Sequence, residues 1–333
     1  MARERLVAVS YPVDEDFARI NSEVLAGDAE IVSTHELEEG QRAGVLRRAE
    51  ALLAWELPKE IPAGALDEAA GLRLVQLLSA GVDAVDFSAL PDRLIVAANA
   101  GAYAPAMSEH VLAMVLSLAK RLPQRHAAMV AGRYEKWAPA QTLDGAVCAI
   151  LGFGGIGVAT ARLMKAFGAR IYAVTRSGQT TEPADFVGTL ADLDHVLAAA
   201  DVVVISLPLT LSTRGLIGQR ELALMKPAAI LVNVARGPIV DQAALYAHLR
   251  ANPQFSAGID TWWDEPAENA PFRPDYPFVD LPNVIGSPHN SSIVPGTMLS
   301  GARMAAENVR RYLRGEAVRG VVRRADYVPQ QGR

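Results

Sequence analysis

Short apolar runs alternate along this chain with longer stretches whose apolar positions recur at helical spacing. In the first hundred residues the short runs are Leu6 to Ser10, Glu30 to Ser33, Ala51 to Trp55, Leu74 to Ser79 and Leu94 to Ala97, and each reads as a strand. Helical patterns over Glu15 to Ala26 and Gln41 to Ala49 lie between them. A long apolar helix is predicted over Ala106 to Leu122, with Val111, Met114, Val115, Leu118 and Ala119 on one stripe. Residues 123–143 are polar and turn-rich. Strands are then predicted over Ala146 to Leu151, Arg170 to Val174, Asp201 to Ser206, Ala229 to Val234, Phe255 to Ile259 and Val284 to Gly286. Helical patterns over Leu190 to Ala200, Gln242 to Ala251 and Met298 to Leu313 complete the alternation. Strands alternating with helices on this spacing predict an α/β protein of two doubly wound parallel sheets, each covered by helices on both faces.

One junction between strand and helix carries a chemical signal. After the run ending Ile150-Leu151 comes Gly152-Phe153-Gly154-Gly155-Ile156-Gly157, and a helical pattern follows from Gly157. Glycines at positions 152, 154 and 157 form the G-x-G-x-x-G dinucleotide fingerprint. The first makes the tight turn, the second lets backbone approach a pyrophosphate, and the third lets helix and strand pack closely. The helix N-terminus offers unpaired N–H groups and a partial positive charge to phosphate. No such motif occurs in the first hundred residues, although Leu74 to Ser79 ends in Ala80-Gly81-Val82-Asp83. That segment reads equally well as a plain turn or as backbone N–H groups open to a small anion.

Composition narrows the setting. At 333 residues the length suits two domains, and a chain that is 50% hydrophobic and 21% charged suits soluble globular cores. The net charge of −5 and the absence of a basic run argue against a nucleic-acid partner. No apolar stretch approaches a membrane span and the start shows no leader pattern, so a cytoplasmic protein without a membrane partner is expected. The single Cys148 lies inside a predicted strand and reads as a small core residue. No metal-ligand cluster stands out, and no metal is expected.

Three polar groups follow the ends of successive later strands: Arg236, then Asp260 with Glu265 close behind, then His289. All are expected on the sheet edge that holds the Gly152 turn, where a doubly wound sheet binds its ligand. A carboxylate beside an imidazole stabilises the imidazolium and suits proton transfer near neutral pH. A guanidinium presents a two-pronged fork suited to a carboxylate. Fork, acid and nicotinamide together fit reduction of a 2-oxo acid. Taken singly, each residue has an ordinary reading as a surface or loop group, and His289 is one of six histidines. The case rests on three strand ends sharing one edge.

These residues carry a resemblance. The stretches Leu151 to Gly157, Leu207-Pro-Leu-Thr210, Met225-Lys-Pro227, Asn233 to Asp241, Gly258 to Pro266 and Ser287-Pro-His289, in this order, resemble the D-isomer-specific 2-hydroxyacid dehydrogenase family. The resemblance implies a Rossmann cofactor domain over 101–289 inserted into a flavodoxin-like substrate domain made of 1–100 plus 290–333. It implies Arg236 as the substrate-orienting cation, His289 as acid/base and Glu265 as its partner. It implies a cofactor site drawn from Gly152, Gly154, Gly155, Ile156, Gly157, Thr175, Arg176, Ser177, Leu207, Pro208, Thr213, Val234, Ala235 and Asp260, with Asp260 at the nicotinamide end. It further implies a substrate carboxylate held at Ala80, Gly81 and Val82, with Tyr103 nearby, and a homodimer formed through Ala106 to Leu122. The activity implied is hydride transfer between NAD(P)H and a small 2-oxo acid such as glyoxylate or hydroxypyruvate.

Two departures stand out. NAD-preferring relatives place Asp at the end of the second cofactor strand, where this chain has Thr175 followed by Arg176. Loss of the carboxylate removes repulsion of a 2′-phosphate and Arg176 supplies a counter-charge, so NADPH is the expected cofactor. Trp262-Trp263 replaces smaller residues, either narrowing the site or serving as packing or dimer residues. Residues 267–280, with three prolines, read as a loop without an assigned role. Two alternatives share the Arg, Glu and His set: a phosphite-type dehydrogenase and a nucleotide-sensing binding protein.

Overall fold

The computed structural model describes residues 5–62, 64–267 and 270–329. The chain divides into two compact units, Met1–Tyr103 with Val294–Arg333, and Ala104–Ile293. These breaks fall a few residues later than the 100 and 290 that the resemblance implied.

The first unit is built on β1 (Leu6–Val9), β2 (Glu30–Ser33), β3 (Ala51–Ala54), β4 (Leu74–Leu77) and β5 (Ile95–Ala97). They form a parallel sheet in the order β2-β1-β3-β4-β5, the flavodoxin-like arrangement. The period of two along each strand divides the core. Leu6, Ala8, Leu52 and Val75 pack on one face, and Val7, Val9, Leu53 and Leu74 on the other. The second face is covered by helices Glu15–Leu25 and Thr297–Leu313. The latter brings the chain back to the first unit and presents Ala302, Ala305, Ala306 and Val309 to the core. Beyond it, Gly320 and Val322 hydrogen-bond with Ala98 and Val96, and Tyr327 stacks on Phe87 with ring centroids 4.8 Å apart.

The second unit holds β6 (Val147–Leu151), β7 (Arg170–Val174), β8 (Phe186–Gly188), β9 (Val202–Ile205), β10 (Ile230–Asn233), β11 (Ser256–Ile259) and β12 (Val284–Gly286). Every pair is parallel, in the order β12-β11-β10-β9-β6-β7-β8. The chain winds one way from β6 through β7 to β8 and the other way from β9 to β12. The reversal lies between β6 and β9, the position where a doubly wound sheet opens a crevice. Strands β6, β9 and β10 are fully buried, which accounts for runs such as Val202-Val203-Val204 with no polar alternation.

The expected helix over Ala106 to Leu122 is two helices, Ala104–Ala119 and Leu122–Val130, so the polar region after it is partly helical. Arg121 takes a left-handed φ of 51°, which breaks the first helix, and Pro123 then sits in the first turn of the second, where it needs no N–H partner. Strand β8 and the helix Gln219–Leu224 had no counterpart in the pattern; both are too short to show periodicity. Among the described residues, no helix is long and apolar enough to cross a membrane.

Candidate active site

Because all strands of the second unit are parallel, their carboxyl ends share one edge. Along it, from β7 to β12, lie Thr175, the Gly152 turn, Leu207, Arg236, Asp260 with Glu265, and His289. The strand order therefore arranges, by adjacency, residues that lie far apart in sequence.

The Gly152 turn is sterically committed to glycine. Gly152 has φ 97°, and a Cβ there would lie 2.7 Å from the Ser206 backbone at the end of β9. The helix that follows is Gly155–Ala166, starting two residues earlier than its apolar pattern, with Gly154 as N-cap. A Cβ on Gly157 would lie 2.2 Å from the Gly152 carbonyl oxygen, so helix and strand meet without room for a side chain. At Gly154 a Cβ would meet nothing within 4 Å, and no side chain caps this helix start. The N–H groups of Gly155 and Ile156 thus head an open helix terminus, a fit for a pyrophosphate.

At the end of β7, the Thr175 hydroxyl accepts from the Gln179 N–H at 3.2 Å and closes a small turn. Arg176 and Ser177 are exposed on that turn. Leu207 and Pro208 follow β9. Thr213 is buried, and its hydroxyl is used within the loop, donating to the Pro208 carbonyl at 2.7 Å and accepting from the Thr210 N–H at 2.8 Å. These bonds shape that loop. Val234 and Ala235 are buried after β10, where Asn233 accepts from the Ala235 N–H at 3.0 Å and donates to the Arg236 carbonyl at 2.8 Å. This side-chain brace holds the turn that carries the half-buried Arg236.

Gly237 lets that turn approach the next one. A Cβ there would lie 2.3 Å from the Trp262 carbonyl carbon. The Trp262 N–H donates to one Glu265 oxygen at 3.0 Å, and the other Glu265 oxygen is 2.8 Å from His289 Nδ1. Partial burial pushes the Glu265 carboxyl up, but the bonds from His289 and the Trp262 N–H, with a weaker pull from Arg236, hold it below its ordinary value. An ionised Glu265 can only accept, so His289 carries its proton on Nδ1, and Nε2 is the nitrogen left to exchange a proton. His289 itself has φ 50°, unusual for a residue with a side chain.

Asp260, expected at the nicotinamide end, directly follows β11. It is fully buried, and its carboxylate accepts from the Ser287 hydroxyl at 2.6 Å and from the N–H groups of Asn290 at 3.1 Å and Ser291 at 3.3 Å. It works as a clamp on the turn that bears His289. Sequence reasoning missed His110, whose Nε2 lies 3.0 Å from Ser287 Oγ. The two residues stand 177 positions apart, and no local spacing links them.

Trp262 and Trp263 pack inside the second unit. Trp262 lies edge-on to Phe272 with ring centroids 4.7 Å apart, and Trp263 stacks on Phe278 at 5.2 Å. The proline-rich loop thereby has a role, since its aromatic residues cover the two tryptophans.

In the first unit, Ala80, Gly81 and Val82 follow β4. Among the described residues no acceptor in the chain takes their N–H groups, while the Gly81 carbonyl accepts from the Ser79 hydroxyl at 2.8 Å. Tyr103 is buried and its hydroxyl donates to the Leu78 carbonyl at 2.6 Å, which makes it a support for that loop.

Residues 112–291 match the family model described as the NAD binding domain of D-isomer specific 2-hydroxyacid dehydrogenases. The chain belongs to the D-isomer specific 2-hydroxyacid dehydrogenase family. Among curated relatives of this family, the glyoxylate/hydroxypyruvate reductase B of Enterobacter agglomerans is 32% identical over 97% of this chain and 98% of its own. The D-3-phosphoglycerate dehydrogenase of Archaeoglobus fulgidus is 32% identical over 79% of this chain, but the match spans only 49% of that protein. Among solved structures, a D-isomer specific 2-hydroxyacid dehydrogenase from Xanthobacter autotrophicus Py2, in complex with NADPH and MES, has a TM-score of 0.80 at 29% identity, covering 97% of this chain and 99% of that one. The family's two parallel-sheet α/β domains, one of them of Rossmann type, are the two units described above.

Proposed function

We propose that this protein is a reductase of small 2-oxo acids that uses NADPH in preference to NADH. The observation that carries the reading is the 2.8 Å pair of Glu265 and His289 on the sheet edge that also holds Arg236 and the Gly152 turn. The reductase name of a relative matched over 97% of this chain supports the substrate class.

In this reading the helix start at Gly154, Gly155 and Ile156 binds the pyrophosphate, and Arg176 faces a 2′-phosphate beside Thr175. When bound, the reduced nicotinamide supplies a hydride. Arg236 binds the substrate carboxylate with its fork and polarises the 2-oxo group. His289, as imidazolium, delivers the Nε2 proton to the oxygen that becomes the hydroxyl. Glu265 holds the imidazolium in orientation and stabilises its charge until the proton has left. Dehydrogenation runs the same transfers backwards, with neutral His289 as the base.

Two variants test this. NADPH oxidation is first measured across glyoxylate, hydroxypyruvate and bulkier 2-oxo acids. His289→Ala is expected to lower kcat on the best substrate by about 10²–10⁴, the range for one acid–base group; an unchanged rate removes His289 from the chemistry. Arg176→Ala is expected to lower kcat/KM for NADPH with little change for NADH, and a wild-type enzyme that prefers NADH refutes the cofactor assignment. We also read the protein as a homodimer. Much of the helix Ala104–Ala119 is buried by its own chain, whereas Leu122, Met129, Val130, Tyr134 and Trp137 are exposed, so the supporting surface lies just beyond the expected one.

A further inference from the structure

The reading of His289 as the proton donor leaves open what holds it in place. Its backbone φ of 50° is strained for a residue with a side chain, and such strain persists only where surrounding contacts impose it. Those contacts converge on Asp260. Its backbone carbonyl accepts from the His289 N–H at 2.8 Å, and its carboxylate accepts from the N–H groups of the next two residues, Asn290 and Ser291. The turn is thus pinned at His289 and on its far side by one residue. On its near side it is pinned by Ser287, whose hydroxyl lies 2.6 Å from the same carboxylate.

Proton accounting then extends the chain of bonds. A serine hydroxyl has one proton, and a carboxylate has none to give. Ser287 therefore spends its proton on Asp260 and can only accept from His110, whose Nε2 is 3.0 Å away. His110 must carry its proton on Nε2. The same nitrogen lies 3.7 Å from Asp260 Oδ1, so its polar hydrogen also faces the buried carboxylate. His110 comes from the helix Ala104–Ala119, and its side chain links that helix to the turn after β12.

We propose that His110 is a positioning residue for His289, acting through Ser287 and Asp260. It donates from Nε2 to Ser287, which fixes the Ser287 hydroxyl on Asp260 and holds the turn that presents His289. This inference rests on the reading of His289 as the acid/base, and its test has one arm that does not.

The independent arm is amide exchange in protein without cofactor or substrate. His110→Leu removes the donor, and exchange at His289, Asn290 and Ser291 is expected to quicken at least tenfold while amides of β6 and β9 keep their protection. His110→Gln offers an N–H at similar reach and is expected to restore protection. In the activity arm, His110→Leu is expected to lower kcat about tenfold to a hundredfold with the KM for NADPH little changed, and His110→Gln to recover most of the loss. Combined with Ser287→Ala, His110→Leu is expected to add no further loss, because both break the same chain of bonds. Unchanged exchange in a folded His110→Leu protein overturns the proposal. So does an activity loss that His110→Gln does not rescue, or one that adds in full to that of Ser287→Ala. If wild type turns over no 2-oxo acid, the proposed function fails, and the exchange arm still decides whether His110 holds the turn.

Discussion

The Glu265 carboxyl sits between opposed influences: partial burial favours its neutral form, while His289, the Trp262 N–H and Arg236 favour its charge and prevail. Its folded-state value is therefore below the ordinary 4.5. A depressed carboxyl contributes stability that is fully present above the unfolded value and is lost as pH falls through the folded one. Wild type is thus expected to lose stability more steeply than Glu265→Gln as pH drops below about 4.5, read by thermal melts at stepped pH. The difference is small, since both side chains of the pair are 38% exposed and partly screened by water. Curves that run parallel would mean that the pair contributes nothing to folding. Elsewhere at this scale, burial pushes the Cys148 thiol up to about 12, as suits an inert core residue. The placing of Arg236, Glu265 and His289 on one sheet edge was legible in the sequence because each lies in the loop that follows a strand. The clamp role of Asp260 and the part of His110 were not, because both depend on contacts between elements.

At the scale of elements, the helix Thr297–Leu313 is joined to β4 by a buried polar link. Asn308 donates to Gln76 at 2.6 Å and to the Arg319 carbonyl at 2.9 Å, and accepts from the Arg319 N–H at 2.8 Å. It couples β4, the helix and the segment that pairs beside β5. Asn308→Ala is expected to cost about 1–3 kcal/mol, because it strands the buried Gln76 side chain, and urea unfolding should show a lower midpoint. Adding Gln76→Leu should return part of that loss, since it removes the stranded group. An Asn308→Ala protein as stable as wild type would mean that water replaces the link. Period-two and helical spacing located most strands and helices within a residue or two. The helix Leu122–Val130 escaped because its stretch is polar and turn-rich in pattern.

At the scale of the molecule, each unit encloses its own cores, and the homodimer reading turns on exposed surface. Met129, Val130 and Trp137 are 59%, 76% and 86% exposed, an unusual load of large apolar side chains within one short stretch. Sedimentation is expected to give a dimer for wild type and a shift toward monomer for Val130→Asp with Trp137→Asp, the fold being intact by circular dichroism. A wild-type monomer at micromolar concentration would remove the dimer from the account.

Alternation of strand and helix, and a glycine pattern at one junction, were enough for the sequence to specify two parallel-sheet units and the place of a glycine turn at a helix start. These are local properties: periodicity is set by burial on a helix or strand, and a glycine turn by the φ and the space that its neighbours leave. Only the tertiary structure decided the order of the strands, and with it which strand ends are adjacent. It also decided the partners of buried polar groups. A buried carboxylate such as Asp260 must find donors wherever the fold brings them, here from Ser287, Asn290 and Ser291, with His110 one bond further out.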